Sequence, residues 1–404
     1  MNPIKKAFCR VYQAAFHAAL PVLPYREPHI MRSVSEVPAE LERLGKRSVL
    51  MITDPFLRKS GVTAKLEEAL RKSGLNFAVY DGTRPNPTTE NVAEAREIYL
   101  REGCDCLIAF GGGSSIDCAK ALGARIAHPK RSLDSLKGDL RIFKKLPTLV
   151  AIPTTAGTGS EVTVTAVITD PVKKHKYTMN SFPLIPSHAV LDAEVTRSLP
   201  PHLTATTGMD ALTHAVEAYI GRSTSRETRR LSCEAARLIF ENVERAYKDG
   251  NDLTARANML TAAYKAGVSF SKSYVGYVHA IAHSLGGQYN IPHGLANSVL
   301  LPIFLEAYGK KIHKKLHELA VYTGISTENE SHAEAAHKFI QTVRDMNSRM
   351  GIPEKLSGIN KADIPAMAKR AGREGNPLYP VPVLMDSKEL ERFYHIVSEG
   401  TDKI

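Results

Sequence analysis

The chain has 404 residues, 43% of them hydrophobic and 24% charged, so it can bury a sizeable core and form two or three domains. Its formal net charge is +11, but acidic residues interrupt the densest basic run, 130–145. That run contains one aromatic residue, which argues against a nucleic-acid surface. The sequence contains no window of about 20 uncharged apolar residues, so it predicts no membrane span.

The N-terminus and the cysteines bear on where the protein works. The first 25 residues predict an amphipathic surface helix that extends the first domain. A secretory signal is disfavoured, because Pro21 and Pro24 break the apolar run. Five cysteines, an odd number without C-x-x-C spacing, are typical of a reducing compartment.

Strands and helices alternate from about residue 45 onward. Short apolar runs predict strands, and helical periodicity predicts helices between them. The alternation predicts a doubly wound, mostly parallel, Rossmann-like sheet in an α/β domain. The predicted strands are 48–54, 76–80, 104–110, 148–152, 162–169 and 189–192, and the helices are 67–73, 89–102 and 116–127.

Strand-like runs stop after Pro200 and Pro201, and only helical periodicity follows. This change predicts an α/β domain over 1–200 and an all-helical domain over 201–404. The predicted helices of the second domain are 205–220, 225–249, 255–271, 278–288, 299–315, 331–350 and 388–398.

Two loops rich in small residues follow predicted strands of the first domain. Residues 111–115 (GGGSS) lie between a strand and a helix, where glycines admit a pyrophosphate and the helix offers free N–H groups. The pattern is not GxGxxG, so a plain tight turn is the alternative. Residues 154–160 (TTAGTGS) add hydroxyl and N–H donors after another strand. Two such loops at one sheet edge favour nucleotide binding.

Asp54 ends the first of the strands from residue 45 onward. Its carboxylate would accept hydrogen bonds from a ribose hydroxyl pair and repel a 2′-phosphate, which favours NAD over NADP. The alternative is a helix cap before Pro55.

The helical half contains two groups of metal-ligand side chains. His279 and His283 are four apart on one predicted helix, and His293 lies in or after the turn that ends it. Asp210 and His214 are also four apart. Three imidazoles and a carboxylate, from Asp210, His214, His279 and His293, suit Fe²⁺, Zn²⁺ or a similar divalent ion. Satisfied core histidines are the alternative. Glu217, one turn beyond His214, is either a partner of a ligand or a solvated glutamate.

The chain resembles the iron-containing (group III) alcohol dehydrogenase family, over roughly residues 30–400. The matching motifs are GGGSSID at 111–117, PTTAGTGSE at 153–161, GMDALTHA at 208–215, and the stretch from His279 to Gly294. The resemblance implies a dehydroquinate synthase-like architecture, the same four metal ligands, a cytoplasmic location, and a homodimer or larger oligomer. It implies NAD(P) contacts from Asp54, Asn86, Gly112, Gly113, Ser114, Asp117, Thr154, Thr155, Thr158, Val167 and Lys176.

The implied activity is reversible hydride transfer between a primary alcohol or aldehyde and NAD(P), in a cleft between the domains. His283 would lie beside the nicotinamide as a proton-relay group, with a structural histidine as the alternative. Two other functions stay open: a dehydroquinate synthase-like or glycerol dehydrogenase-like enzyme, and a non-catalytic metal- or nucleotide-binding module. The expected partner is a small-molecule substrate, with no nucleic acid and no membrane.

Overall fold

The computed structural model describes residues 1–172 and 175–398. The chain forms two compact units. Residues Pro24–Leu199 form one, called the α/β unit below. Met1–Leu23 and the described residues from Pro200 onward form the other, called the helical unit.

Nine strands are found among the described residues, all in the α/β unit. They are β1 (His29–Met31), β2 (Ser48–Ile52), β3 (Asn76–Tyr80), β4 (Cys106–Gly111), β5 (Gly138–Asp139), β6 (Thr148–Pro153), β7 (Thr165–Asp170), β8 (His175–Asn180) and β9 (His188–Val190). Six of them form a parallel sheet in the order β1-β9-β6-β4-β2-β3. The other three form a small sheet in which β7 and β8 are antiparallel.

Helix α1 and the helices of the α/β unit come first along the chain. They are α1 (Pro3–Ala19), α2 (Val37–Arg43), α3 (Pro55–Ser60), α4 (Ala64–Ser73), α5 (Thr89–Arg101) and α6 (Gly113–Ala127). Separate buried apolar clusters involve alternate residues of β2 and β4, such as Leu50 and Leu107 in one and Val49 and Ile108 in the other. Alternate residues of a strand point to opposite faces, so the sheet is buried on both sides, as in a doubly wound fold.

The remaining α-helices belong to the helical unit. They are α7 (Pro201–Ile220), α8 (Arg226–Lys248), α9 (Leu253–Ser273), α10 (Tyr277–Tyr289), α11 (His293–Tyr308), α12 (His313–Tyr322), α13 (His332–Arg349), α14 (Ile364–Gly375) and α15 (Ser387–Val397). Short 3-10 turns occupy Leu20–Val22, Val34–Glu36, Asp134–Leu136, Ser160–Val162, Phe182–Leu184, Ala193–Thr196, Gly309–Lys311 and Lys361–Asp363. Among the described helices, none has the length and apolarity needed to cross a bilayer.

The predicted fold class is confirmed, while several boundaries differ. The strand predicted over 162–169 belongs to the small sheet as β7, and β1, β5 and β8 are strands that the hydrophobic pattern did not predict. The helix predicted over 299–315 is two helices, because Gly309 has a positive φ of 50° and ends α11. Residues 399–404 of the predicted second domain lie outside the described residues.

The assignment of residues 1–25 to the first domain is wrong, because Met1–Leu23 group with the helical unit. The reason is a set of hydrogen bonds from Arg10 and Gln13 to main-chain carbonyls in 377–382. Local periodicity predicts the helix α1 but carries no information about such distant acceptors.

Candidate active site

Three helices of the helical unit bring the predicted metal ligands together. Asp210 and His214 lie one turn apart on α7, and His279 lies on α10. His293 is the first residue of α11, and Pro292 before it is the N-cap residue of that helix. One candidate ligand atom from each of these four side chains lies within 4.8 Å of the others. The structure therefore brings together the predicted set.

The close approach of α11 to α7 depends on a glycine. A Cβ added to Gly294 would lie 2.5 Å from the main-chain oxygen of Thr206 on α7. With glycine at that position, the neighbouring His293 places Nε2 3.5 Å from Asp210 Oδ1. The rings of His214 and His279 stack with centroids 4.4 Å apart.

His279 shows most directly that the cluster suits a metal. The residue is 2% exposed, and Nδ1 lies 2.6 Å from Glu217 Oε2. Among the described residues, Nε2 has no hydrogen-bond partner, and it lies 3.9 Å from Asp210 Oδ1. Burial, aided by the neighbouring histidines, holds the pKa of His279 well below its ordinary value. A neutral imidazole with its proton directed to Glu217 leaves a buried lone pair aimed at the cluster, which is what a metal requires.

Glu217 is a buried partner of His279, which settles the two interpretations of this residue. Its carboxylate also accepts the main-chain N–H groups of Gly276 at 2.8 Å and Val278 at 3.0 Å. Burial raises the pKa of Glu217, while the hydrogen bonds that it accepts oppose that rise and favour the carboxylate. A Cβ on Gly276 would lie 2.5 Å from Glu217 Oε1, so glycine makes room for the carboxylate.

Asn297 is a member of the site that the sequence analysis missed. Its Nδ2 donates to Asp210 Oδ1 at 2.6 Å and lies 3.1 Å from His293 Nε2. The amide thus donates to one predicted ligand and lies within hydrogen-bond distance of a second. The available signal was its position four residues after His293 on the same helix.

His283 lies beside the cluster without belonging to it. Its ring stacks on His293 with centroids 5.1 Å apart, and its side chain is 24% exposed. Nδ1 lies 2.7 Å from Glu374 Oε1, and the same oxygen accepts the hydroxyl of Tyr379 at 2.8 Å. Sequence patterns gave no signal for Glu374, which is 91 residues away from His283.

The two small-residue loops of the α/β unit pack against each other. The strands β4 and β6 that precede them are neighbours, and the N–H of Thr154 donates to the carbonyl of Gly111 at 3.1 Å. A Cβ on Gly113 would lie 2.9 Å from Thr158 Cγ2, and one on Gly112 would lie 3.2 Å from Thr155 Cγ2. Glycine is needed at the α6 N-terminus for this packing. Ser114 follows in the first turn of the helix.

Asp117, on α6, has its carboxylate engaged inside the protein. Ser160 Oγ donates to Oδ1 at 2.7 Å, and the N–H of Val167 donates to Oδ2 at 3.0 Å. Burial raises the pKa of Asp117, against the opposing pull of Lys120. The structure thus links Asp117 and Val167, both predicted cofactor contacts.

The other predicted cofactor residues occupy two places. Asp54 Oδ1 accepts the N–H of Leu57 at 2.9 Å, so the helix-cap interpretation is confirmed, and the ribose contact stays a prediction. Lys176 Nζ donates to Asn86 Oδ1 at 2.7 Å. Asn86 has a positive φ of 58°, a conformation that asparagine tolerates better than most residues.

Comparisons with known proteins cover most of the chain. Residues 31–193 match the family model described as iron-containing alcohol dehydrogenase, and residues 204–396 match the model for the C-terminal part of that family. A 1,3-propanediol dehydrogenase of Citrobacter freundii is 39% identical over 85% of this chain and 90% of its own length. An NAD-dependent methanol dehydrogenase of Bacillus methanolicus is 36% identical over 84% of this chain and 89% of its own. The crystal structure of a 1,3-propanediol oxidoreductase matches with a TM-score of 0.88 and 36% identity, covering 92% of this chain and 98% of that one.

Proposed function

The chain belongs to the iron-containing alcohol dehydrogenase family, and from this premise we propose that it interconverts short primary alcohols and their aldehydes. It is an oxidoreductase that uses NAD(H) and a divalent metal. The names of two similar proteins, a 1,3-propanediol dehydrogenase and a methanol dehydrogenase, support short primary alcohols as the substrate class. The observation that carries the proposal is the cluster of Asp210, His214, His279 and His293.

The four side chains fit Fe²⁺, Zn²⁺ or a similar ion. The buried Nε2 of His279 supports this fit, because it has no hydrogen-bond partner within residues 1–172 and 175–398. When bound, such an ion would supply Lewis-acid polarisation of the substrate oxygen, while NAD(H) would accept or give the hydride. The chain's own residues orient the ligand atoms that would bind the ion. Glu217 fixes the orientation and the proton of His279, and Asn297 orients Asp210.

His283 is the proposed proton-transfer residue. Its Nδ1 is taken by Glu374, so Nε2 is the ring nitrogen that would exchange a proton with the substrate oxygen, directly or through water. The carboxylate of Glu374 would stabilise the imidazolium that forms when His283 takes up a proton. Stacking on His293 holds the ring plane and so limits where Nε2 points.

The packed loops of the α/β unit are the proposed site for NAD(H). The N-terminus of α6 has glycine as its cap residue, without a capping side chain, which suits a pyrophosphate. Asp54 would favour NAD over NADP by repelling a 2′-phosphate. The family resemblance supports contacts from the same eleven residues: Asp54, Asn86, Gly112, Gly113, Ser114, Asp117, Thr154, Thr155, Thr158, Val167 and Lys176.

The test is an anaerobic screen of Fe²⁺- and Zn²⁺-loaded protein, following NADH absorbance with short alcohols, diols and aldehydes. We expect turnover with short primary alcohols and aldehydes that is lost, together with bound metal, in His279→Ala. The control is His313→Ala, a histidine at the start of α12 outside the four-residue cluster. Full activity of metal-free His279→Ala, or no turnover by loaded wild-type protein, would contradict the proposal.

We also place the enzyme in the cytoplasm as a homo-oligomer. Its five cysteines are all free thiols and all buried, which supports a reducing compartment. The oligomer rests on the family resemblance, and sedimentation equilibrium of the metal-loaded protein tests it.

A further inference from the structure

Residues 376–382, called the proline segment below, need partners for their carbonyl groups. The sequence Asn-Pro-Leu-Tyr-Pro-Val-Pro contains three prolines, which lack an N–H and cannot form a regular helix or strand ladder. Buried main-chain carbonyls without partners are costly, so another part of the chain must donate to them.

Helix α1 supplies most of these donors. Arg10 donates from Nη1 to the carbonyl of Val381 at 2.7 Å and from Nη2 to that of Pro382 at 2.9 Å. Gln13 donates from Nε2 to the carbonyls of Tyr379 at 2.7 Å and Pro377 at 3.1 Å. Two side chains, one turn apart, thus satisfy four carbonyls within six residues. Arg10 also donates to Gln13 Oε1 at 2.8 Å, which locks the pair together.

An aromatic contact holds α1 near its C-terminal end. The ring of Phe16 meets the ring of Tyr274 edge-on, with centroids 5.1 Å apart. Tyr274 in turn lies 6.3 Å from the ring of Tyr379. The proline segment is therefore held by α1 through its main chain, and Tyr379 is also held through its ring.

Tyr379 connects the proline segment to the active site. Its side chain is buried, and its hydroxyl donates to Glu374 Oε1 at 2.8 Å. That oxygen is the one 2.7 Å from His283 Nδ1. A shift of the segment would move the Tyr379 hydroxyl and with it the carboxylate that orients the imidazole.

We propose that α1 is a positioning element of the active site, acting on His283 through Tyr379 and Glu374. This inference rests on the proposed role of His283. The family models begin at residue 31, so α1 lies before the region they match. A helix outside that region thereby controls the geometry of proton transfer inside it.

The experiment is a double-mutant cycle with the zinc-loaded, full-length protein. It compares Arg10→Ala, Glu374→Gln and the double variant, with Lys6→Ala, an exposed cation on the same helix, as the matched control. We expect Arg10→Ala to lower kcat about tenfold, part of the roughly 10²–10⁴ that a positioned proton-transfer group contributes, with bound zinc unchanged. In the Glu374→Gln background, the same change should lower kcat less than about twofold, because the path is already broken.

Two readouts do not depend on turnover. Amide hydrogen exchange over 374–385 should become faster in Arg10→Ala and stay unchanged in Lys6→Ala. In protein with ¹³C-labelled histidine, the ring resonance of His283, assigned with His283→Gln, should shift in Arg10→Ala only. These readouts separate the proposed function from the positioning role of α1. Absent turnover by the wild-type protein contradicts the proposed function alone. An unshifted His283 resonance in Arg10→Ala contradicts the positioning role.

The proposal is overturned if the kcat effects of Arg10→Ala and Glu374→Gln multiply independently, or if Arg10→Ala leaves the His283 resonance unchanged. Arg10→Lys retains one cationic donor, and we expect an intermediate loss of kcat. If Arg10→Ala does not fold, Arg10→Lys carries the same cycle and the same resonance comparison.

Discussion

Glu217→Gln tests how much the buried carboxylate contributes to the metal site. Glu217 accepts three N–H groups, from Gly276, Val278 and the ring of His279, and its side chain is 2% exposed. Glutamine has nearly the same shape but one acceptor oxygen, and its amide nitrogen only donates. One of the three donors must therefore face an NH₂ group, or the ring of His279 must move its proton to Nε2.

Either response has a calculable size. If the proton moves to Nε2, it occupies the lone pair aimed at the cluster, and metal affinity should fall by about 10- to 100-fold, the range seen for partners of metal-bound histidines. That loss equals about 1.4–2.7 kcal/mol of binding free energy. If a main-chain N–H is left unpaired instead, the metal-free protein should lose about 1–3 kcal/mol of unfolding free energy.

Competition with a chromophoric zinc chelator measures the affinity, and urea unfolding of the metal-free protein measures the stability. Glu374→Gln is the matched control, because it makes the same carboxylate-to-amide change beside His283, which is outside the predicted ligand set. We expect its zinc affinity to equal that of the wild type. Unchanged affinity and unchanged stability of Glu217→Gln would refute the role assigned to the carboxylate.

Three further predictions concern the α/β unit. Asp54→Gly should raise kcat/KM for NADP relative to NAD about tenfold, because removing a like charge near a 2′-phosphate is worth roughly 1–4 kcal/mol. The variant should still fold, since glycine is tolerated at a helix cap. An unchanged ratio of kcat/KM for the two cofactors argues against the ribose contact. Lys120→Met should lower the unfolding free energy by about 2–4 kcal/mol in urea titrations. The reason is that the buried Nζ donates to the carbonyls of Thr163 and Thr165 at 2.9 and 2.8 Å. A variant as stable as the wild type would show that these carbonyls find other donors. Burial raises the pKa of Glu161 to about 7 from 4.5, so the folded state binds this proton more tightly and wild-type stability falls as pH rises between those values. Glu161→Gln lacks this loss and should gain about 3 kcal/mol over the wild type between pH 4.5 and pH 8; parallel stability curves for the two proteins would contradict the assignment.

The fold class follows from local pattern because strands buried on both faces are continuous apolar runs. Every residue of β4 is buried, so its sequence is a continuous apolar run that predicts a strand. Two strands without such a run were missed: β1 has three residues, of which one is buried, and β5 has two residues, neither of them buried. The small sheet depends on pairing between β7 and β8, which neither segment encodes alone.

The convergence of the four candidate ligands was partly predictable, because helical spacing depends only on nearby sequence. Asp210 and His214 must share a face of α7, and a proline before His293 must end or begin a helix. The same logic would have found Asn297, four residues after His293.

What tertiary structure alone decided is which distant groups complete the site. Glu217 had two open interpretations, which only its contact with His279 decided. Glu374 meets His283 only because α14 packs on α10. The sequence predicted α1 as a helix but could not predict that it packs on the proline segment. The carbonyls that α1 satisfies there lie more than 360 residues away. Spacing fixes which side chains share a face, whereas a contact between separate elements exists only after the core has set their relative positions.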